Sequence, residues 1–133
     1  MKVALITDTH FGARNDNQIF HNYFLKFYRD IFFPYLENNE INTVIHLGDL
    51  VDKRKNIAFN TLNSLRKDFI WPLLENAISL YVIVGNHDSY YRNTNSINAI
   101  TELFGESPFI NIYEKTDTIE LDGLKICLVP WIC

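Results

Sequence analysis

The chain has 133 residues, enough for one domain with a buried core, and 47% of them are hydrophobic, which excludes an intrinsically disordered segment. Acids outnumber bases 16 to 12, and the net charge of −4 is opposite to that of a general nucleic-acid binder with a basic stripe. No apolar run approaches the ~20 residues that span a bilayer, which excludes a transmembrane helix.

Met1-Lys2 leads directly into Val3-Ala4-Leu5-Ile6, a buried-strand pattern followed by Asp8-Thr9-His10, so no secretory signal is expected. The two cysteines have no metal or disulfide spacing: Cys127 reads as a buried thiol and Cys133 as a terminal one. A cytoplasmic protein follows. Ile19 to Leu36 carries apolar residues at near-helical spacing, with Pro34 expected to cut the last turn short. Glu37-Asn38-Asn39-Glu40 is a polar stop. It precedes a second strand, Val44-Ile45-His46-Leu47, which ends in Gly48-Asp49. From Asn56 to Glu75 a second helix sets Phe59, Leu62, Leu65, Phe69 and Leu73 on one face, with Pro72 near its end. A third strand, Tyr81-Val82-Ile83-Val84, ends in Gly85-Asn86-His87-Asp88, and a weaker helix runs from Ser96 to Phe104.

The remainder changes character. Phe109 to Tyr113 reads as a short strand, and Asp117–Leu121 and Leu124–Val129 flank Asp122-Gly123, a strong hairpin signal because both turn positions need positive φ. The order β-α-β-α-β-α followed by strands predicts an α/β fold, an open and mainly parallel sheet flanked by helices. Its ligands gather at the carboxyl ends of the strands. No internal repeat, linker or second domain is visible. Ile126 to Cys133 is strongly apolar, an edge that predicts either a fragment or a covering polypeptide.

Phosphodiester hydrolysis needs an activated nucleophile and neutralisation of developing charge, which two divalent ions provide together. Asp8 and His10 lie two apart on a segment expected to be extended, so both side chains turn toward one ion. Asp49 is the natural bridging carboxylate, and Asn86 offers an amide oxygen to a second ion. Mixed carboxylate, imidazole and amide ligation suits manganese and accommodates iron or zinc. His87, with Asp88 beside it, fits a general acid held by an orienting carboxylate. Gly48 and Gly85 allow tight turns and close substrate approach. His46 reads as a packed core or cleft-wall residue and His21 as a surface one. Lys53-Arg54-Lys55, Arg14 and Arg92 follow the motifs closely. That clustering suits a phosphodiester substrate, and a solvated loop face is an equal alternative for any one of them.

The three strings, Asp8-Thr9-His10, Gly48-Asp49-Leu50-Val51-Asp52 and Gly85-Asn86-His87-Asp88, resemble the signature of the calcineurin-like metallophosphoesterases. Phe11-Gly12-Ala13-Arg14, Asp52-Lys53-Arg54-Lys55 and Pro130-Trp131-Ile132-Cys133 make the chain most similar to the SbcD-type nuclease subunits of double-strand-break repair, and among them to the recombination endonuclease subunits of tailed phages. The resemblance implies a manganese-dependent exonuclease and endonuclease on DNA ends, partnered by an SbcC-type ATPase and with a homodimer formed near the second motif. By position it implies Asp8, His10, Asp49 and Asn86 as metal ligands, His87 as catalytic acid and Asp88 as its partner. The stripe of Phe59, Leu62, Leu65 and Phe69 serves either that dimer or, more commonly, the core. Family members continue with Gly-His and Gly-His-x-His, which this sequence lacks. Residues 1–133 are therefore expected to be the N-terminal part of the domain, the first half of a four-layer β-sandwich, with only Asp49 and Asn86 for the second ion. Two other functions fit the same strings: a small-substrate phosphatase or cyclic phosphodiesterase, and a non-catalytic module docking to an ATPase or DNA.

Overall fold

The computed structural model describes Met1 to Cys133. Four strands, β1 (Ala4–Ile6), β2 (Thr43–His46), β3 (Ser79–Ile83) and β4 (Ile110–Tyr113), lie side by side in chain order, each pair parallel. The first crossover runs through α1 (Gln18–Phe27), a π-helical turn (Tyr28–Phe32) and α2 (Phe33–Asn38). The second repeats the scheme with α3 (Phe59–Leu65), a π-helical turn (Arg66–Ile70) and α4 (Trp71–Glu75). The third carries α5 (Ala99–Phe104), and an antiparallel hairpin of β5 (Asp117–Leu121) and β6 (Leu124–Leu128) follows as a separate sheet. The α/β class expected from the sequence is the class observed. No helix is long and apolar enough to cross a membrane.

Parallel strands added in order by right-handed crossovers place their helices on one face. The core follows that rule. Val44, Leu80, Val82 and Ile110, one pleat set, pack with Phe32, Leu36, Phe69, Leu73 and Ile100 from the crossovers. Leu5, of the opposite pleat set, is 66% exposed. The apolar stripe of the second crossover splits: Leu65 and Phe69 are fully buried, whereas Phe59 is 89% exposed.

Neither proline ends its helix. Before each, Phe33 N donates to Tyr28 O and Trp71 N to Arg66 O, one residue wider than an α-turn. The wider turn moves aside the carbonyl that a proline ring strikes in an α-helix. Both helices then close alike: Glu40 (φ 55) and Ala77 (φ 53) turn left-handed, and Ile41 N and Ile78 N donate to Leu36 O and Leu73 O. The geometry thus recurs although no sequence repeat is evident.

Two further expectations change. Cys127 is exposed, because β6 pairs only with β5 and is not covered by the helical layer. His21 is half-buried against Phe11, its Nε2 without a hydrogen-bond partner, and burial pulls its pKa down.

Candidate metal centre

The segments leaving β1 and β2 stay paired beyond the strands. Asp8 N donates to Gly48 O, His10 N to Asp49 O and Phe11 N to Leu50 O, at 2.9–3.0 Å. This ladder carries Asp8 and His10 alongside Asp49. The expected extended segment is not what aligns them: Asp8 (φ 54), His10 (φ 43) and Asp49 (φ 56) are all left-handed. Such backbone costs about 1–3 kcal/mol per residue and persists only where the surroundings over-determine it.

Here the surroundings are a buried carboxylate. Asp88 accepts N–H donors from Asp49 (2.8 Å), Gly85 (2.9 Å) and Val51 (3.1 Å), joining the second loop to the third. Burial pushes its carboxyl up to about 6, while the backbone donors pull it down. The expected pairing of Asp88 with the His87 ring is therefore corrected. Its oxygens are taken up by backbone donors, and His87 Nδ1 meets the Asp52 carbonyl at 2.6 Å instead. A carbonyl only accepts, so Nδ1 carries hydrogen and Nε2 is the atom free to take or give a proton.

The glycines have a further task beside the turns expected of them. A Cβ on Gly85 would collide with the Asp49 carboxylate and backbone, and one on Gly48 (φ 100) would stand 3.0 Å from Gly85 Cα. Gly48 takes the tight turn expected of it, and together the two glycines let the loops close on each other.

The donors converge. His10 Nε2 lies 3.2 Å from Asp8 Oδ1 and 3.7 Å from Asp49 Oδ2. Ligand atoms of His10, Asp49 and His87 all fall within 4.8 Å of one another, and the two imidazoles meet edge-on at 4.9 Å. Asp49 Oδ1 also accepts His87 N at 2.9 Å. The Asn86 carboxamide lies against Asp49, with its NH₂ group 3.1 and 3.2 Å from the two carboxylate oxygens. The Thr7 hydroxyl and His10 hold the Asp8 carboxyl below its usual range against the opposing effect of burial. Neither Asp8 nor Asp49 has a Lys or Arg partner, so two carboxylates face one imidazole nitrogen with their charge unbalanced. Oxygen and imidazole donors so arranged fit a divalent cation.

Two residues that sequence reasoning left without a role hold this arrangement. Asp52 Oδ1 stands 3.1 Å from His10 Nδ1, out of line for a hydrogen bond, and its carbonyl holds His87. One residue thus backs both imidazoles, as a carboxylate behind a metal-binding histidine does. Its signal was the second aspartate of Gly48-Asp49-Leu50-Val51-Asp52. His46 is the other. It is buried as expected, but its Nδ1 accepts from Gly48 N (3.1 Å) and its Nε2 faces the Thr9 hydroxyl (3.0 Å), which donates to Leu50 O (3.0 Å). It ties the first loop to the second.

Residues 1–131 match the family model described as calcineurin-like phosphoesterase. The chain is 35% identical over all 133 residues to exonuclease subunit 1 of Enterobacteria phage T4, and it spans 39% of that protein's length. With the motifs, the parallel sheet and the converging donors, a match over nearly every residue places the chain in the calcineurin-like phosphoesterase family.

Proposed function

We propose that this chain binds divalent metal through Asp8, His10, Asp49 and Asn86 and hydrolyses phosphodiester bonds of DNA, as part of a nuclease subunit in recombination and double-strand-break repair. The observation that carries the reading is the meeting of His10, Asp49 and His87 within 4.8 Å where parallel strands end. Asp8, His10, Asp49 and Asn86 would hold the ion, which would supply charge neutralisation for the phosphoryl oxygens and a more acidic water. His87, held through Nδ1 by Asp52, delivers a proton from Nε2 to the leaving oxygen. Asp88 acts as a positioning residue, keeping Asp49 and Gly85 in register.

Two ions fit the reading; manganese is the one the resemblance implies, and mixed nitrogen and oxygen donors suit it while accommodating iron or zinc. From this chain Asp49 and Asn86 would hold the second, and the chain spans 39% of the length of its phage relative. That the phage T4 relative is an exonuclease subunit supports a multi-subunit assembly. An SbcC-type ATPase and a homodimer through the exposed Phe59 of α3 complete the proposal, in a cytoplasmic setting. Manganese binding, read by electron paramagnetic resonance, is expected to weaken tenfold or more in Asp49→Asn. Cleavage of an end-labelled duplex is expected to be lost in His87→Gln. Manganese affinity unchanged in Asp49→Asn overturns the reading.

A further inference from the structure

Two loops leave the metal centre together, residues 52–58 after β2 and 89–98 after β3. They are tied at the base by His87 Nδ1 on Asp52 O and by Val51 N on Asp88, and the second folds back through Tyr90 N to Ile97 O. Between them and α5 opens a groove of about 180 Å³, lined by Val51, Arg54, Lys55, Tyr90, Ile97 and Glu102. Two of its lining residues, Val51 and Lys53, flank Asp52, whose carbonyl holds the His87 ring.

The groove carries unspent positive charge. Of Lys53, Arg54 and Lys55, only Lys53 is paired, to Asp16 at 2.6 Å. Arg54 and Lys55 form no ion pair, in a chain whose net charge is −4 and which has acids to spare. Arg54 Nη1 is buried without a hydrogen-bond partner, a cost that an anion bound there relieves. Lys55 Nζ rests 5.6 Å over the Tyr90 ring, which meets Tyr91 edge-on at 4.8 Å. Unpaired cations beside an aromatic face are what a nucleic-acid strand presents complements to: a phosphate for the charge and a base for the ring. The volume, below the roughly 300 Å³ of small-molecule pockets, suits a single base and not a duplex.

We infer that this groove is a track for one strand of a nucleic-acid end, with a base stacked on Tyr90 and the adjoining phosphate held by Arg54 and Lys55. The inference rests on the phosphodiesterase reading and adds where the strand runs: past His87 and away between the two loops. Lys55 leaves the ring when the base arrives and takes the phosphate.

Fluorescence anisotropy of a short labelled oligothymidylate with the full chain in EDTA tests the track without catalysis. Binding is expected to be tighter for the single strand than for a duplex of equal length. Lys55→Gln and Arg54→Gln are each expected to weaken it and to flatten its salt dependence by about 0.7 in log–log slope. Tyr90→Ala is expected to weaken it roughly tenfold, with Tyr90→Phe restoring it, since stacking needs only the ring. The absence of single-strand binding, a preference for duplex, or an affinity indifferent to Tyr90 and Lys55 each overturns the inference. Failure of the hydrolytic reading shows separately, in manganese binding and duplex cleavage, neither of which enters this measurement.

Discussion

At the scale of the residue, His46 links acidity to the geometry of the metal centre. Its Nδ1 accepts from Gly48 N, so the neutral form is the one that fits. Burial pulls its pKa down to about 4, with Asp8 opposing and His10 assisting. An unfolded histidine titrates near 6.5, so between those values the unfolded chain binds a proton that the folded one refuses. This contribution is full above pH 6.5 and lost as pH falls toward 4, a difference of about 3 kcal/mol. Asp88, whose carboxyl burial pushes up to about 6, contributes with the opposite sign over much of the same window, so the His46 contribution is read as a difference. In urea unfolding down the pH scale the wild type is expected to lose stability relative to His46→Gln, which has no proton to gain. Gly85 sets a steric limit beside it. Gly85→Ala is expected to cost about 1–3 kcal/mol by urea unfolding and to weaken manganese binding, because its methyl group displaces the Asp49 carboxylate.

At the scale of the element, ends and turns show where local chemistry speaks clearly. Asp122-Gly123 announced the β5–β6 hairpin, and both residues do take positive φ, 52 and 82. Gly123 faces open space, so Gly123→Ala is expected to lose about 1–2 kcal/mol from backbone strain alone. The helix ends work in reverse. Ala77 occupies a left-handed closing position that glycine prefers, and Ala77→Gly is expected to raise stability by up to about 1 kcal/mol once the entropy of the unfolded chain is deducted. Thermal unfolding of both variants checks the pair, since the signs must be opposite. These caps and the π-helical turns before Pro34 and Pro72 were not legible in the sequence. A proline signals a missing N–H donor, but whether the helix breaks or widens depends on the packing of Phe32, Phe69 and Ile70 beneath it.

For the whole molecule, the packing centre is Phe69, fully buried and ringed by Phe11, Tyr28, Phe32, Phe33 and the His46 imidazole. Phe69→Ala is expected to cost about 3–5 kcal/mol, a large part of the total stability of a domain of this size. Phe59→Ala, on the same stripe but 89% exposed, is expected to leave the urea midpoint nearly unchanged at concentrations too dilute for the proposed homodimer to form. A helical stripe reports a face and not its depth, so sequence periodicity treated the two alike. Class of fold, the succession of elements along the chain and the chemical groups at the strand ends were all readable from local pattern, since alternation, turn residues and motif spacing act over a few neighbouring residues. Which partner each group finds was settled only in three dimensions. Asp88 reaches Asp49 N across 39 positions and His87 reaches the Asp52 carbonyl across 35. A buried acceptor takes the donor that packing brings to it, and no local pattern records which donor that is.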